Sequence, residues 1–136
     1  EEIEAACKAV SADTIIDQLE NGYDSDVGEG GDLLSTGGKQ LISFARAVLA
    51  DPRIFVLDEA TSSIDTITEH LIQNAIEHLM KGRTSFVIAH RLSTIRQADI
   101  ILVVDAGKII ERGTHEELMA LGGIYQKLHD MQIKDA

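Results

Sequence analysis

Three groups of residues carry types and spacings suited to chemistry. Asp58 and Glu59 form an adjacent acidic pair directly after the uncharged run IFVL at 54–57. A run that short, rich in branched and aromatic residues, reads as a buried parallel strand. Acids at the carboxyl end of such a strand lie where open α/β sheets bind ligands. One could hold a divalent cation while the other activates water; the plainer reading of a lone DE pair is a solvated turn. His90 closes a second apolar run, TSFVIA at 84–89, and stands at the equivalent edge of a strand. Ser35 opens the stretch STGGKQ at 35–40. Its hydroxyl can cap a helix start, and the free N–H groups and dipole there make an anion site. Gly37 would let the backbone approach a ligand closely.

The elements that must position these groups follow from the hydrophobic spacing. Ser35 begins an amphipathic helix with Leu41, Ile42, Phe44, Ala45, Val48 and Leu49 on its buried side, and Asp51-Pro52 ends it because a residue before proline disfavours helical geometry. Asp65 can cap a helix reaching about Met80, with an apolar stripe of Ile67, Leu71, Ile72, Ala75, Ile76, Leu79 and Met80, and Gly82 terminates it. Upstream, residues 1–9 read as a helix. Ser11 or Asp13 can cap a second, carrying Ile15, Ile16 and Leu19, which Asn21-Gly22 stops. Residues 22–32, GYDSDVGEGGD, form a glycine- and aspartate-rich loop. Downstream come a short helix over 91–97 and strands over 100–104 and 108–112, joined by a tight turn at 105–107. A Thr114/Glu117 capping box follows, then a last helix from about Ile124 carrying Tyr125, Leu128 and Met131.

With 136 residues, 44% of them hydrophobic and 26% charged, the chain suits one soluble domain with an aliphatic core. Its net charge of −11 is uneven: residues 1–32 hold ten acids against a single lysine. So acidic a chain is a poor candidate for nucleic-acid or anionic-membrane binding. No stretch approaches the ~20 apolar residues that span a bilayer, so no direct membrane insertion is expected. The acidic, helical start is not that of a signal peptide, and because it does not open on Met the chain is expected to be an excised piece. Cys7 stands alone and cannot form an internal disulfide, which suits a reducing compartment. His70, His78, His115 and His129 have no metal-ligand spacing and read as surface or packing residues.

This arrangement closely resembles the nucleotide-binding (ATPase) domain of ABC transporters, in particular the exporter or multidrug type. Residues 34–40 (LSTGGKQ) look like the family's signature loop, usually LSGGQxQ, and IFVLDE at 54–59 like its Walker B strand. SSID at 62–65 resembles the D-loop and His90 the switch histidine. SDVGEGG at 25–31 resembles the exporter X-loop, with an ordinary flexible loop as the alternative, and GKIIERGTHEEL is again exporter-like. The resemblance spans nearly the whole chain. It implies an α/β fold: part of a P-loop NTPase (ABC ATPase) fold, with a mostly parallel sheet, flanking helices and part of the α-helical subdomain. Residues 1–50 would be the helical-subdomain portion and 51–136 the C-terminal part of the RecA-like core.

The implied activity is ATP binding and hydrolysis coupled to transmembrane transport. Glu59 and His90 would be catalytic, Glu59 as general base and His90 orienting water and the γ-phosphate. Asp58 would hold Mg²⁺, through water. Ser35, Thr36, Gly37, Gly38 and Gln40 would contact ATP held by a second nucleotide-binding domain, in a homo- or heterodimer. Ser63 and Asp65 of the D-loop would link to that second domain. Asp26 and Glu29 would meet the transporter's transmembrane domain, which places the chain at the cytoplasmic face of the cell membrane as a peripheral domain. Two positions depart from the usual signature. Thr36 replaces its first Gly and Gly38 its Gln, either as a tolerated variation or as one half of a heterodimer with unequal sites.

A phosphate-cradling Walker A motif, G-x-x-x-x-G-K-[ST], occurs nowhere in these residues: Gly38-Lys39 is followed by Gln40 and Gly107-Lys108 by Ile109. No Q-loop is recognisable either. The chain by itself is therefore expected to be inactive, with an exposed strand edge. The competing readings are a non-catalytic interaction or dimerisation fragment and a soluble, non-transport ABC-type ATPase. The X-loop and GTHEEL segments and the acidic charge argue against the second.

Overall fold

The computed structural model describes residues 1–59 and 64–134. They form two compact units, Glu1–Val87 and Ile88–Ala136.

In the first unit, α1 (Glu2–Ala9) and the single turn α2 (Asp13–Ile16) lead into a loop with two short 3-10 turns. Then follow α3 (Thr36–Ala50), β1 (Ile54–Asp58), α4 (Thr66–Met80) and β2 (Thr84–Ile88). β1 and β2 are hydrogen-bonded neighbours joined through α4, the β-α-β connection of parallel sheets. Leu41, Ile72, Ile76 and Leu79 are almost completely buried where α3 and α4 meet, and Phe55 adds an aromatic ring from β1. Each such aliphatic side chain stabilises the fold by about 1.5–3 kcal/mol. Asp51 ends α3 in the left-handed conformation (φ 44°, ψ 58°) directly before Pro52, which cannot extend a helix. Arg83 pairs with the Asp51 carboxylate at 3.3 Å, tying the end of α3 to the start of β2.

Four sequence expectations are corrected in this unit. The second helix is shorter than its apolar spacing suggests. Neither Ser11 nor Asp13 caps it, because Ala12 is the N-cap, and Ser11 takes a positive φ while its carbonyl accepts the Thr14 hydroxyl. β1 is buried on one face only, and no residue of β2 is fully buried. Phe55 and Leu57 face the core, whereas Ile54, Val56 and Phe86 are 63%, 67% and 57% exposed. A continuous apolar run promises cover on both faces; side chains that alternate along a strand can use one. Ile67 and Leu49 also point outward, each lying at the edge of its helical stripe.

In the second unit, α5 (Leu92–Arg96) precedes the antiparallel hairpin of β3 (Ile101–Asp105) and β4 (Lys108–Gly113). The turn needs positive φ at both central residues and obtains it from Ala106 (46°) and Gly107 (76°), the geometry that matches strand twist. A register shift next to Val103 bulges the ribbon at Ile110. α6 (His115–Leu121) starts with the expected capping box. Thr114 accepts the Glu117 N–H at 3.2 Å, and Glu117 accepts the Thr114 N–H at 2.9 Å. Gly122 ends the helix at φ 69° and α7 (Ile124–Lys134) follows.

Candidate functional site

In the first unit the candidate residues lie at two helix starts and one strand end. Ser35 is the N-cap of α3, and its hydroxyl accepts the Gly38 N–H at 3.1 Å. That bond satisfies one of the free donors of the first turn and leaves others pointing along the axis. Thr36 is exposed, Gln40 half-buried, and Gly37 and Gly38 are buried. Both glycines are held by neighbours. A Cβ on Gly37 would collide with the Thr68 methyl and lie 3.4 Å from Ile64 Cγ2. A Cβ on Gly38 would stand 3.1 Å from Ser35 Oγ and 3.2 Å from Ile15 Cγ2. The closeness read from sequence as room for a ligand is thus used, at the Cα side of Gly37, by the chain itself.

Asp65 is the N-cap of α4 and accepts the Thr68 N–H at 2.9 Å. Hydrogen bonds from the Thr68 side chain and backbone hold its exposed carboxyl below the usual carboxylate range. The starts of α3 and α4 therefore lie together, joined by Gly37, Thr68 and Ile64. Ser63 lies outside the described residues.

The acidic pair separates by environment. Asp58 is the last residue of β1 and is exposed, while Glu59, one residue on, is 5% exposed. The pair thus consists of one solvated and one sheltered carboxylate. His90, in the second unit, is exposed just beyond β2, and its carbonyl accepts the Gln132 side-chain N–H at 3.2 Å. Asp26 and Glu29 are exposed in the loop; Asp26 accepts the Gly28 N–H at 2.9 Å, and Lys39 pairs with Asp32 at 3.3 Å. No group of three His, Cys, Asp or Glu among the described residues could cage a metal.

Sequence reasoning missed the tie from Gln132 to His90 and the pair of Arg96 with buried His129, 2.9 Å apart. Each joins residues more than thirty positions apart, and no local pattern marks either.

A family model described as ABC transporter matches residues 2–62. The chain is 58% identical over 132 residues to an ATP-dependent lipid A-core flippase of Desulfotalea psychrophila, covering 97% of this chain and 23% of that protein. Over all 136 residues it is 57% identical to an uncharacterized ABC transporter ATP-binding protein of Bacillus subtilis, of which it covers 22%. A solved structure, that of a bacterial Atm1-family ABC exporter with ATP bound, matches 96% of the chain with a TM-score of 0.83 and 41% identity; the match covers 23% of that chain. The fold is part of the fold of an ABC-type ATPase. More narrowly, the chain is a segment of an exporter-type ABC ATPase domain, and it spans less than a quarter of the length of these relatives.

Proposed function

We propose that this chain supplies the second half of an ATP-hydrolysing site in an ABC exporter and couples hydrolysis to transport across a membrane. The observation that carries this reading is the split acidic pair: exposed Asp58 at the end of β1 and buried Glu59 directly after it. The substrate is Mg·ATP. One exposed carboxylate suits an ion that arrives with phosphates and keeps its waters, so Asp58 would hold Mg²⁺ through water. Glu59 accepts the proton of the water that attacks the γ-phosphorus, and ADP leaves as the bond between the γ-phosphorus and the β–γ bridging oxygen breaks. His90 orients this water and the γ-phosphate.

The capped start of α3, with Ser35, Thr36, Gly37, Gly38 and Gln40, contacts the γ-phosphate of ATP held by a second nucleotide-binding domain. Free N–H groups and the helix dipole favour that charge. Ser63 and Asp65 meet the same partner, and Asp26 and Glu29 the transmembrane domain. Residues 1–50 act as helical subdomain and 51–136 as ATPase core, at the cytoplasmic face of the membrane. No described helix is long and apolar enough to cross a membrane. Without a Walker A loop to cradle the phosphates, the 136 residues alone neither bind ATP tightly nor hydrolyse it.

The experiment exchanges this sequence for the matching segment of the Bacillus subtilis relative and compares the hybrid with its Glu59→Gln variant. Turnover should vanish in the variant while ATP binding remains. A variant that hydrolyses ATP at the hybrid's rate would remove Glu59 from the mechanism.

A further inference from the structure

The second unit holds the backbone that carries His90 at two points, both from α7. Gln132 donates its side-chain N–H to the His90 carbonyl at 3.2 Å. Six residues beyond His90, at the end of α5, the Arg96 guanidinium meets Nε2 of His129 at 2.9 Å. Arginine can only donate, so His129 accepts there and carries its proton on Nδ1, which faces Asp130 at 3.4 Å. The His129 ring is 5% exposed and packs against Tyr125 and His115, ring centroids 6.3 and 5.3 Å away. It is a fixed anchor on a buried helix face. α7 is itself fixed at its start, where the Glu111 carboxylate accepts the N–H groups of Ile124 at 2.6 Å and Tyr125 at 3.0 Å. A chain of specific contacts therefore runs from β4 through α7 to both ends of the His90–Arg96 segment.

From this juxtaposition we infer that Gln132 is a positioning residue for the reaction, with α7 serving as the clamp that sets the backbone of the switch histidine. An exposed glutamine spending its amide on a loop carbonyl 42 residues away restricts that peptide. A histidine that must stand within hydrogen-bond reach of a phosphate gains from a backbone that does not wander. Arg96 and His129 hold the far end, so that α5 cannot swing and carry His90 with it. The inference rests on the reading of His90 given above and deepens it.

The test uses the intact ATPase subunit that carries this sequence. Gln132→Met keeps length and removes the donor, Gln132→Glu replaces the donor by an acceptor, and Gln132→Lys restores a donor of similar reach. The expected result is a several-fold lower kcat in the Met and Glu variants, KM for ATP within about twofold of the parent, and recovery of at least half the loss in the Lys variant. Hydrogen exchange over residues 89–97 should quicken in the first two variants and return with Lys. In a His90→Ala background, Gln132→Met should lower kcat no further. Unchanged exchange in Gln132→Met overturns the clamp. Faster exchange with unchanged kcat, or a loss that Lys does not relieve, overturns the positioning role. A His90→Ala subunit at full rate would instead sink the reading of His90, while the exchange result still reports on the clamp by itself.

Discussion

The methyl group of Thr68, in the first turn of α4, fills the space in which Gly37, in the first turn of α3, would carry a side chain. The two helices thereby bring their capped N-termini together, Ser35 serving one and Asp65 the other. Gly37 sits in ordinary helical backbone; what demands glycine is the closeness of a β-branched neighbour whose χ1 is stiff.

Gly37→Ala is expected to destabilise the first unit by about 1–3 kcal/mol through overpacking. Thr68→Ser removes the obstructing methyl and keeps the N–H that bonds Asp65, so alone it should cost little. The pair together should recover most of the loss. Urea denaturation of the four proteins checks this. Equal destabilisation in Gly37→Ala and in the double variant would mean that the methyl is not the obstacle.

Much of this arrangement was legible in the sequence because it is local. Ser35, Asp65 and the Thr114/Glu117 box cap the helices they precede, and a helix start requires only side chains within three residues of it. The hairpin turn follows from Ala106-Gly107 and the end of α3 from Asp51-Pro52 in the same way. Cover over the strands is not local. The run at 54–57 looks the same whether one face or both are packed, and only the fold reveals that Ile54 and Val56 face outward. At the site, the residue types of Asp58 and Glu59 were readable, but their unequal burial was not. The hold of Gln132 on His90 depends on α7 returning from 42 residues away, which no spacing rule encodes.

The cap at Asp65 should be pH-dependent. Its folded-state carboxyl titrates below its ordinary value of 3.8, because hydrogen bonds from Thr68 favour the charged form. The stabilisation it gives α4 is therefore present above that ordinary value and is lost as pH falls through the lower folded value. Amide exchange at Thr68 should accelerate over that acid range. Asp65→Asn, which still caps but does not titrate, should abolish the dependence. Identical pH profiles in parent and variant would assign the acid effect to another group.

Cys7 should be slow to react at neutral pH. Burial raises its thiol pKa above the ordinary 9.0, outweighing the opposing hydrogen bond from Tyr23. The thiolate is the nucleophile, so its population at pH 7 falls below that of a free cysteine. Alkylation by iodoacetamide should be slow in the native chain, fast in denaturant, and should rise steeply only above pH 9. By linkage, the same shift favours the folded state below 9.0, and that preference is lost as pH rises through the folded value. Native and denatured chains reacting at equal rates at pH 7 would show that the thiol is not sheltered.

The seat of α7 depends on a second missing side chain. The Glu111 carboxylate lies where Gly123 would carry a Cβ, and from there it accepts the N–H groups of Ile124 and Tyr125. It thus does at the start of α7 what a capping residue does, reaching in from β4, and its negative charge suits the positive end of the helix dipole. Gly123→Ala must displace the carboxylate and break both bonds, with an expected cost of about 1–3 kcal/mol, comparable to losing hydrogen bonds to a charged group. Glu111→Gln keeps the shape but turns an N–H toward N–H groups that need an acceptor, and should lose a similar amount. Amide exchange over 124–132 should quicken in both variants while that of α3 and α4 in the first unit stays as it was. Because α7 also carries Gln132, exchange over 89–97 should quicken with it. Faster exchange in α7 with no change over 89–97 would show that the His90 segment is held independently of how α7 is seated.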